Sequence, residues 1–294
     1  MTALQLKPSV RLADAAAAAI ARVAADALFA EVETWPKPGL VSHVDRGSHD
    51  DMDADTFRRS VAATRPFYGL LAAAGADGAE MPELRRIGLD AERAMLVATG
   101  GVNTHRGAIF GLGLLCAAAG ATAAERQSPS FASSRCPAAM LGAVVRQRWG
   151  RAIASGPIPL RSHGTQALRR FGAGGARAEA AGGFQSVLEV GLPALRVGRR
   201  LAPGNPEAAR VQAFFALLAA VDDTNLLHRG GADGLRYAQE AAAGFLAAGG
   251  VEQPGWLDAA VAVHRGFVQR RLSPGGSADL LTATLFIDRM ETGI

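Results

Sequence analysis

The sequence predicts an all-α fold, a single domain of roughly ten packed helices. Three observations carry this. Alternating β-branched runs of the kind that build half-buried strands are absent. Helix caps, first-turn prolines and terminal glycines recur along the chain. Alanine and 35 glycines crowd the apolar stretches, and side chains this small suit closely packed helices. At 294 residues, 49% hydrophobic and 20% charged, the chain is globular and long enough for a substantial core.

The elements follow in order. Leu12–Glu33 is alanine-rich and periodic, and it stops before Pro36 and Pro38. Asp53 caps a helix running to Ala74, and Pro82 sits in the first turn of one reaching Ala98. Thr104–Ala119 is apolar and rich in small residues. The Ser-rich stretch 125–136 reads as a loop. Pro137–Gly150 and Ser162–Phe171 read as helices, and Gly172–Gly175 breaks the chain. Leu192–Leu201 is helical. Asn205-Pro206-Glu207 supplies a cap, a first-turn proline and a favourable acid for a helix to His228. Ala232–Ala248 and Trp256–Leu272 follow. A Ser273–Ser277 turn then leads to a last helix, capped by Ser277 and ending near Met290. No repeat and no long linker divides the chain.

Composition excludes several classes. Net charge is +4, and of 31 basic residues only Lys7 and Lys37 are lysines. Arginine suits phosphate recognition, although a genomic bias toward arginine explains the count equally well. No basic run stands beside aromatics, which argues against nucleic-acid binding. Cys116 and Cys136 show neither metal spacing nor a disulfide framework, which fits a reducing cytoplasm. No signal peptide is evident. The apolar run Gly107–Gly120 is too short to span a bilayer, so no membrane partner is expected.

Five stretches carry polar chemistry. Pro36-Lys37-Pro38-Gly39 is a stiff turn that fixes a lysine, either as a phosphate hand or in solvent. Asp45, His49, Asp50, Asp51 and Asp53 crowd nine residues, and such oxygen-rich clusters suit Mg²⁺ shared with phosphates, or an exposed acidic loop. Gly100–Gly107 is a Gly-Gly turn opening a helix, with His105 and Arg106 in the first turn, where unpaired N–H groups favour an anion. His105 heads the stripe Ile109, Leu112, Cys116 and should face inward. Gly172–Phe184 places Arg177 and Glu179 between glycine pairs, as a ligand-hugging or merely flexible loop. Val211, Phe215, Leu218, Asp222 and Asn225 recur on one helical face, so Asp222 points inward. Asp223 lies off that face, and His228, Arg229 and Gly230-Gly231 end the helix. In the last stretch Ser273–Asp279 forms an anion nest. Asp279 shares a face with Ala283, Phe286 and Met290 and points inward, or serves the helix dipole.

The wording of these motifs resembles the triphosphoribosyl-dephospho-CoA synthase family. The matching segments are Pro36–Val41, Gly47–Asp53, Gly101–Phe110, Asp223–Gly231 and Ser273–Leu281, in that order, from about residue 31 to 287, nearly the whole chain. One departure stands out: the family's Gly-Ala-Arg-Gly-Glu-Ala is here Gly175-Ala176-Arg177-Ala178-Glu179-Ala180. The resemblance implies that ATP and 3′-dephospho-CoA combine, adenine leaves, and the triphosphoribosyl group joins the 2′-hydroxyl of the acceptor ribose. The product would go to a separate transferase that charges the acyl carrier protein of malonate decarboxylase or citrate lyase; with no obvious attachment domain, the chain looks closer to the stand-alone malonate branch.

Substitution at the anomeric carbon passes through an oxocarbenium-like state, which wants a carboxylate, a base for the hydroxyl and an acid for adenine. On that chemistry Glu31 or Glu179 is the base, with Asp222 beside them. Lys37, Asn103, His105, Arg106, Arg177, Asn225, His228, Arg229 and Ser277 hold substrate. Asp51, Asp222 and Asp223 bind Mg²⁺. The oligomeric state stays open. Rival readings are a Mg²⁺-dependent helical ADP-ribosyl or nucleotide hydrolase, through Asp222-Asp223-Thr224; a His-Asp phosphohydrolase, through His49-Asp50; and a non-enzymatic nucleotide-binding helical protein.

Overall fold

A computed structural model describes residues 8–126, 138–157 and 170–293. Among them lie eleven α-helices and no strand. They are α1 (Pro8–Val32), α2 (Ala54–Ala76), α3 (Met81–Ala98), α4 (Arg106–Arg126), α5 (Ala138–Ser155), α6 (Gly175–Gly182), α7 (Leu192–Leu201), α8 (Pro206–Ala220), α9 (Thr224–Ala247), α10 (Trp256–Gln269) and α11 (Gly275–Thr292). A π-turn at Val187–Gly191 leads into α7 and a 3₁₀ turn at Gly250–Glu252 precedes α10. Most of the expected 125–136 loop, Cys136 and most of the expected helix 162–171 lie outside the described residues.

α4 sits at the centre, against α1, α2, α3, α5, α6 and α11. Small residues make this approach close. A Cβ on Gly75 would lie 1.9 Å from the Ala117 carbonyl oxygen, and one on Gly120 would lie 1.8 Å from that of Ala72. The backbones of α2 and α4 therefore touch at two glycines. α4 outruns the apolar stretch read from sequence: Arg106–Glu125 is long and apolar enough to cross a bilayer. Its most apolar stretch is 72% buried inside the protein, as a central core helix must be. One hydrophobic cluster draws on all eleven helices, from Ile20 and Leu28 of α1 to Phe286 and Ile287 of α11.

Several starts match their sequence signals. Asp53 caps α2 by accepting from the Thr56 N–H at 2.9 Å, and Asn205 caps α8 by accepting from the Ala208 N–H at 3.0 Å. Three expectations need correcting. The helix expected from Asn205 to His228 stops at Ala220, and Asp223 caps a new helix at Thr224. Gly230-Gly231 does not end that helix. Gly231 (φ 62°, ψ −161°) kinks it, and α9 continues to Ala247. Ser277 is not a cap either; it lies inside the first turn of α11.

Candidate active site

The starts of three helices meet at two carboxylates. Asp223, 1% exposed, accepts from the Asn225 and Leu226 N–H groups of its own helix at 2.9 and 3.3 Å. Its other oxygen accepts from the Ser277 N–H at 2.7 Å and the Ser277 hydroxyl at 2.9 Å, so it ties α9 to α11. Burial pushes its carboxyl up, and the Ser277 bonds oppose this. Two residues on, Asp279 reaches α4. A Cβ on Gly107 would lie 1.9 Å from its Oδ2, and the Ala108 N–H donates to it. Only glycine leaves that carboxylate room. Burial, and then the charges of Glu31 and Asp223, push the Asp279 carboxyl well above the usual range.

Glu31 and Lys37 close the group at the end of α1. Lys37 is fully buried, and its ammonium donates to Glu31 Oε1 at 2.6 Å, the Glu31 carbonyl at 2.6 Å and the Val41 carbonyl at 3.3 Å. All three donors are spent inside the protein. Lys37 is the counter-ion of Glu31, not the phosphate hand that the stiff turn suggested. Burial pulls its ammonium down, against the pull of Glu31.

His105 is 3% exposed and faces inward, as its stripe predicts. Its Nδ1 lies 2.6 Å from Ser60 Oγ, and the Thr104 hydroxyl donates to Ser60 Oγ at 2.7 Å. A chain that runs from Thr104 to Ser60 to Nδ1 is satisfied when the ring proton sits on Nε2. Nε2 has no partner. Burial, then Lys37, pulls the imidazole down to about 3. His105 is a neutral donor, not a cation for phosphate.

A charged rim surrounds this core. His49 Nε2 lies 2.8 Å from Ser273 Oγ, which joins the 42–53 loop to the turn before α11. Burial, then Arg229, pulls the His49 ring down. Asp50 pairs with Arg271 at 3.1 Å, and exposed Asp51 lies 3.6 Å from His49. Arg229 makes only long bonds, to the Ser48 and Arg271 carbonyls at 3.4 and 3.2 Å and to His49 Nδ1 at 3.4 Å. The guanidinium can therefore turn to a better acceptor.

The remaining candidates divide. Asp222 is exposed, contrary to its stripe, because α8 has ended and the chain turns tightly there, with the Asp223 N–H donating to the Val221 carbonyl at 2.9 Å. Arg106 is exposed and pairs with Glu92 at 3.0 Å, and Asn103 accepts from the Arg106 N–H at 3.2 Å. Asn225 borders the turn, with its amide nitrogen 2.8 Å from where a Cβ of Gly275 would stand. His228 is exposed one turn after the start of α9, far from the C-terminal end at which it was expected. Arg177 and Glu179 lie in helix α6, not in a loop. Arg177 donates to the Pro157 carbonyl at 3.1 Å, and Glu179 accepts from the Ser186 N–H and hydroxyl at 2.7 and 2.9 Å. Glu179 is thereby spent on the chain reversal after α6.

Among the described residues no three His, Cys, Asp or Glu side chains come together as a metal cage. Asp223 has its lone pairs filled by N–H and O–H donors. Sequence reasoning passed over Ser60 and Tyr68, although Ser60, Thr64 and Tyr68 stand four residues apart on the buried face of α2. That polar stripe on an apolar helix face was the available signal.

A family model described as ATP:dephospho-CoA triphosphoribosyl transferase matches residues 17–294. The chain belongs to this family. It is 40% identical over 276 residues to a probable 2-(5″-triphosphoribosyl)-3′-dephosphocoenzyme-A synthase of Azotobacter vinelandii, covering 92% of this chain and 91% of that one. It is also 40% identical over 278 residues to the synthase of that name from Pectobacterium atrosepticum, covering 91% and 88%. A Photobacterium profundum relative, named as a probable synthase, is 37% identical over 277 residues, covering 90% and 85%. No solved structure matches. The protein is thus a transferase, and all five motif segments fall within the matched region.

Proposed function

We propose that this chain joins the triphosphoribosyl group of ATP to the 2′-hydroxyl of 3′-dephospho-CoA at the Glu31–Lys37–Asp223–Asp279 cluster, releasing adenine. One observation carries the placement. Carboxylates from α1, α9 and α11 meet at helix starts whose N–H groups favour the anionic substrate, with His105 beside them. An oxocarbenium-like carbon gains from carboxylates held that near, and the acceptor hydroxyl needs a base. Glu31 suits that role: one oxygen is anchored on Lys37, which fixes the carboxylate. Glu179, fully engaged by Ser186, does not.

The triphosphate is kept intact, so it must be held without being activated. Arg229 and Arg271 on the rim, with the Ser273–Ser277 turn, would hold it. Mg²⁺ is usually bound through one or two carboxylates plus substrate phosphates, and exposed Asp51 fits that pattern where buried Asp223 does not. The ion would supply charge neutralisation for the triphosphate.

The product is the prosthetic-group precursor for the acyl carrier subunit of malonate decarboxylase, after transfer by a separate enzyme. The alternative destination is the acyl carrier subunit of citrate lyase. Two assays test the reading. An acceptor lacking the 2′-hydroxyl gives no adenine release, whereas release at the normal rate contradicts the linkage. Product offered with the partner transferase to both apo carrier subunits adds mass to the malonate decarboxylase carrier; exclusive charging of the citrate lyase carrier overturns the branch.

A further inference from the structure

We propose that Asp279 is the acid that protonates the departing adenine, an assignment that rests on the transferase reading above. Three carboxylates form the cluster: Asp223 is closed by four donors, whereas Glu31 is bonded through one oxygen only. Asp223 and Glu31 are buried, at 1% and 4% exposure, and bound by Ser277 and Lys37. Asp279 is the least enclosed residue of the three. Its carboxyl stands in the side-chain space of Gly107 at the start of α4, and the Ala108 N–H orients it.

A second observation points to a ligand here. Among the described residues only two buried side-chain polar atoms lack a hydrogen-bond partner, Tyr68 Oη and His105 Nε2. Buried polar atoms are normally paired. Both belong to this neighbourhood: Tyr68 feels the charge of Asp279, and His105 feels that of Lys37 and precedes Gly107 by two residues. The Thr64 hydroxyl gives its proton to the Ser60 carbonyl at 2.9 Å and keeps lone pairs that can accept from Tyr68, so the orphan that points to a ligand is His105 Nε2. An idle, buried imidazole nitrogen beside the least enclosed carboxyl of the cluster marks a place for a polar, uncharged ring such as a purine. Burial, and then crowding by Glu31 and Asp223, lifts the Asp279 carboxyl well above the usual range, toward the protonated form an acid needs.

The proton count closes. The C1′–N9 bond breaks with its electron pair on adenine, and adenine N7 takes the Asp279 proton. The acceptor oxygen forms the new bond to C1′ and its proton passes to Glu31. Water then carries that proton back to Asp279.

The test compares ATP with 7-methyl-ATP, whose base already bears a positive charge and leaves without a proton. Adenine or 7-methyladenine release is measured with dephospho-CoA for wild type, Asp279→Asn and Gly107→Ala, whose new methyl displaces the carboxyl. With ATP, both variants should lose about 10²–10⁴-fold in kcat, the usual worth of general acid catalysis. With 7-methyl-ATP both should return to within about tenfold of wild type, a residual set by geometry. Wild-type rates on ATP, or equal losses on both nucleotides, would overturn the proposal while wild-type turnover keeps the transferase reading intact. No base release by the wild-type enzyme would overturn both.

Discussion

Asp223→Ala should destabilise the protein sharply, whereas Asp222→Ala should leave it unchanged, although sequence periodicity pointed the other way. The Asp223 carboxylate accepts four hydrogen bonds and is 1% exposed, so no water replaces it. Losing the α9 cap costs about 1 kcal/mol. Stranding the Ser277 N–H and hydroxyl costs roughly 1–3 kcal/mol for each buried donor. The sum is on the order of 4 kcal/mol, less whatever is regained by not burying a charge. With an unfolding entropy of about 2.1 cal/mol/K per residue, a chain of 294 residues loses ~6 °C of melting temperature. Asp223→Asn keeps one acceptor and should lose about half of that. Asp222 is exposed, so its alanine variant should stay within about 0.5 kcal/mol of wild type, which is under ~1 °C. Differential scanning fluorimetry of the three variants reads all of this. Equal shifts for Asp222→Ala and Asp223→Ala would refute the bridging role.

Further outcomes follow from the same geometry. Lys37→Ala strands a buried carboxylate and should cost roughly 3–5 kcal/mol, while the double variant Glu31→Leu, Lys37→Met should cost less than either single change, as denaturant melts would show. Gly120→Ala drives a methyl into the Ala72 carbonyl and should lower the melting temperature by more than Gly100→Ala, which meets open space and loses only through its positive φ. His105, held near 3 when folded and near 6.5 when unfolded, takes up a proton only on unfolding, so stability should fall as pH drops below 6.5 and this loss should vanish in His105→Asn. Asp279 has the opposite sign. Its folded carboxyl keeps a proton that the unfolded chain releases, so stability falls as pH rises above about 4, and Asp279→Asn should melt higher than wild type at pH 8.

Local chemistry made much of the fold legible. Asp53, Pro82 and Asn205-Pro206-Glu207 start helices because caps and first-turn prolines act within one turn. The inward faces of His105 and Asp279 also followed, since helical spacing fixes direction near a core. The end of α8 was hidden. Val211, Phe215 and Leu218 say which face is buried but nothing about where the helix stops, so Asp222 was assigned by extrapolating through a break. Gly230-Gly231 looked like punctuation, yet a Cβ on Gly230 would lie 2.6 Å from Leu272, so that glycine makes room for a neighbour. The Lys37–Glu31 pair spans a turn with no periodicity, and its burial depends on α2, α4 and α11 closing over it. Burial that depends on distant segments carries no local signal.

The central claim is that the enclosed cluster of acids beside His105 performs ribosyl transfer with adenine as leaving group. Mass spectrometry of a reaction holding ATP, Mg²⁺ and 3′-dephospho-CoA addresses it directly. The account predicts one adenine released for each acceptor that gains a triphosphoribosyl unit, and neither in Glu31→Gln. Adenine formed at the same rate without dephospho-CoA, or full turnover by Glu31→Gln, would contradict it.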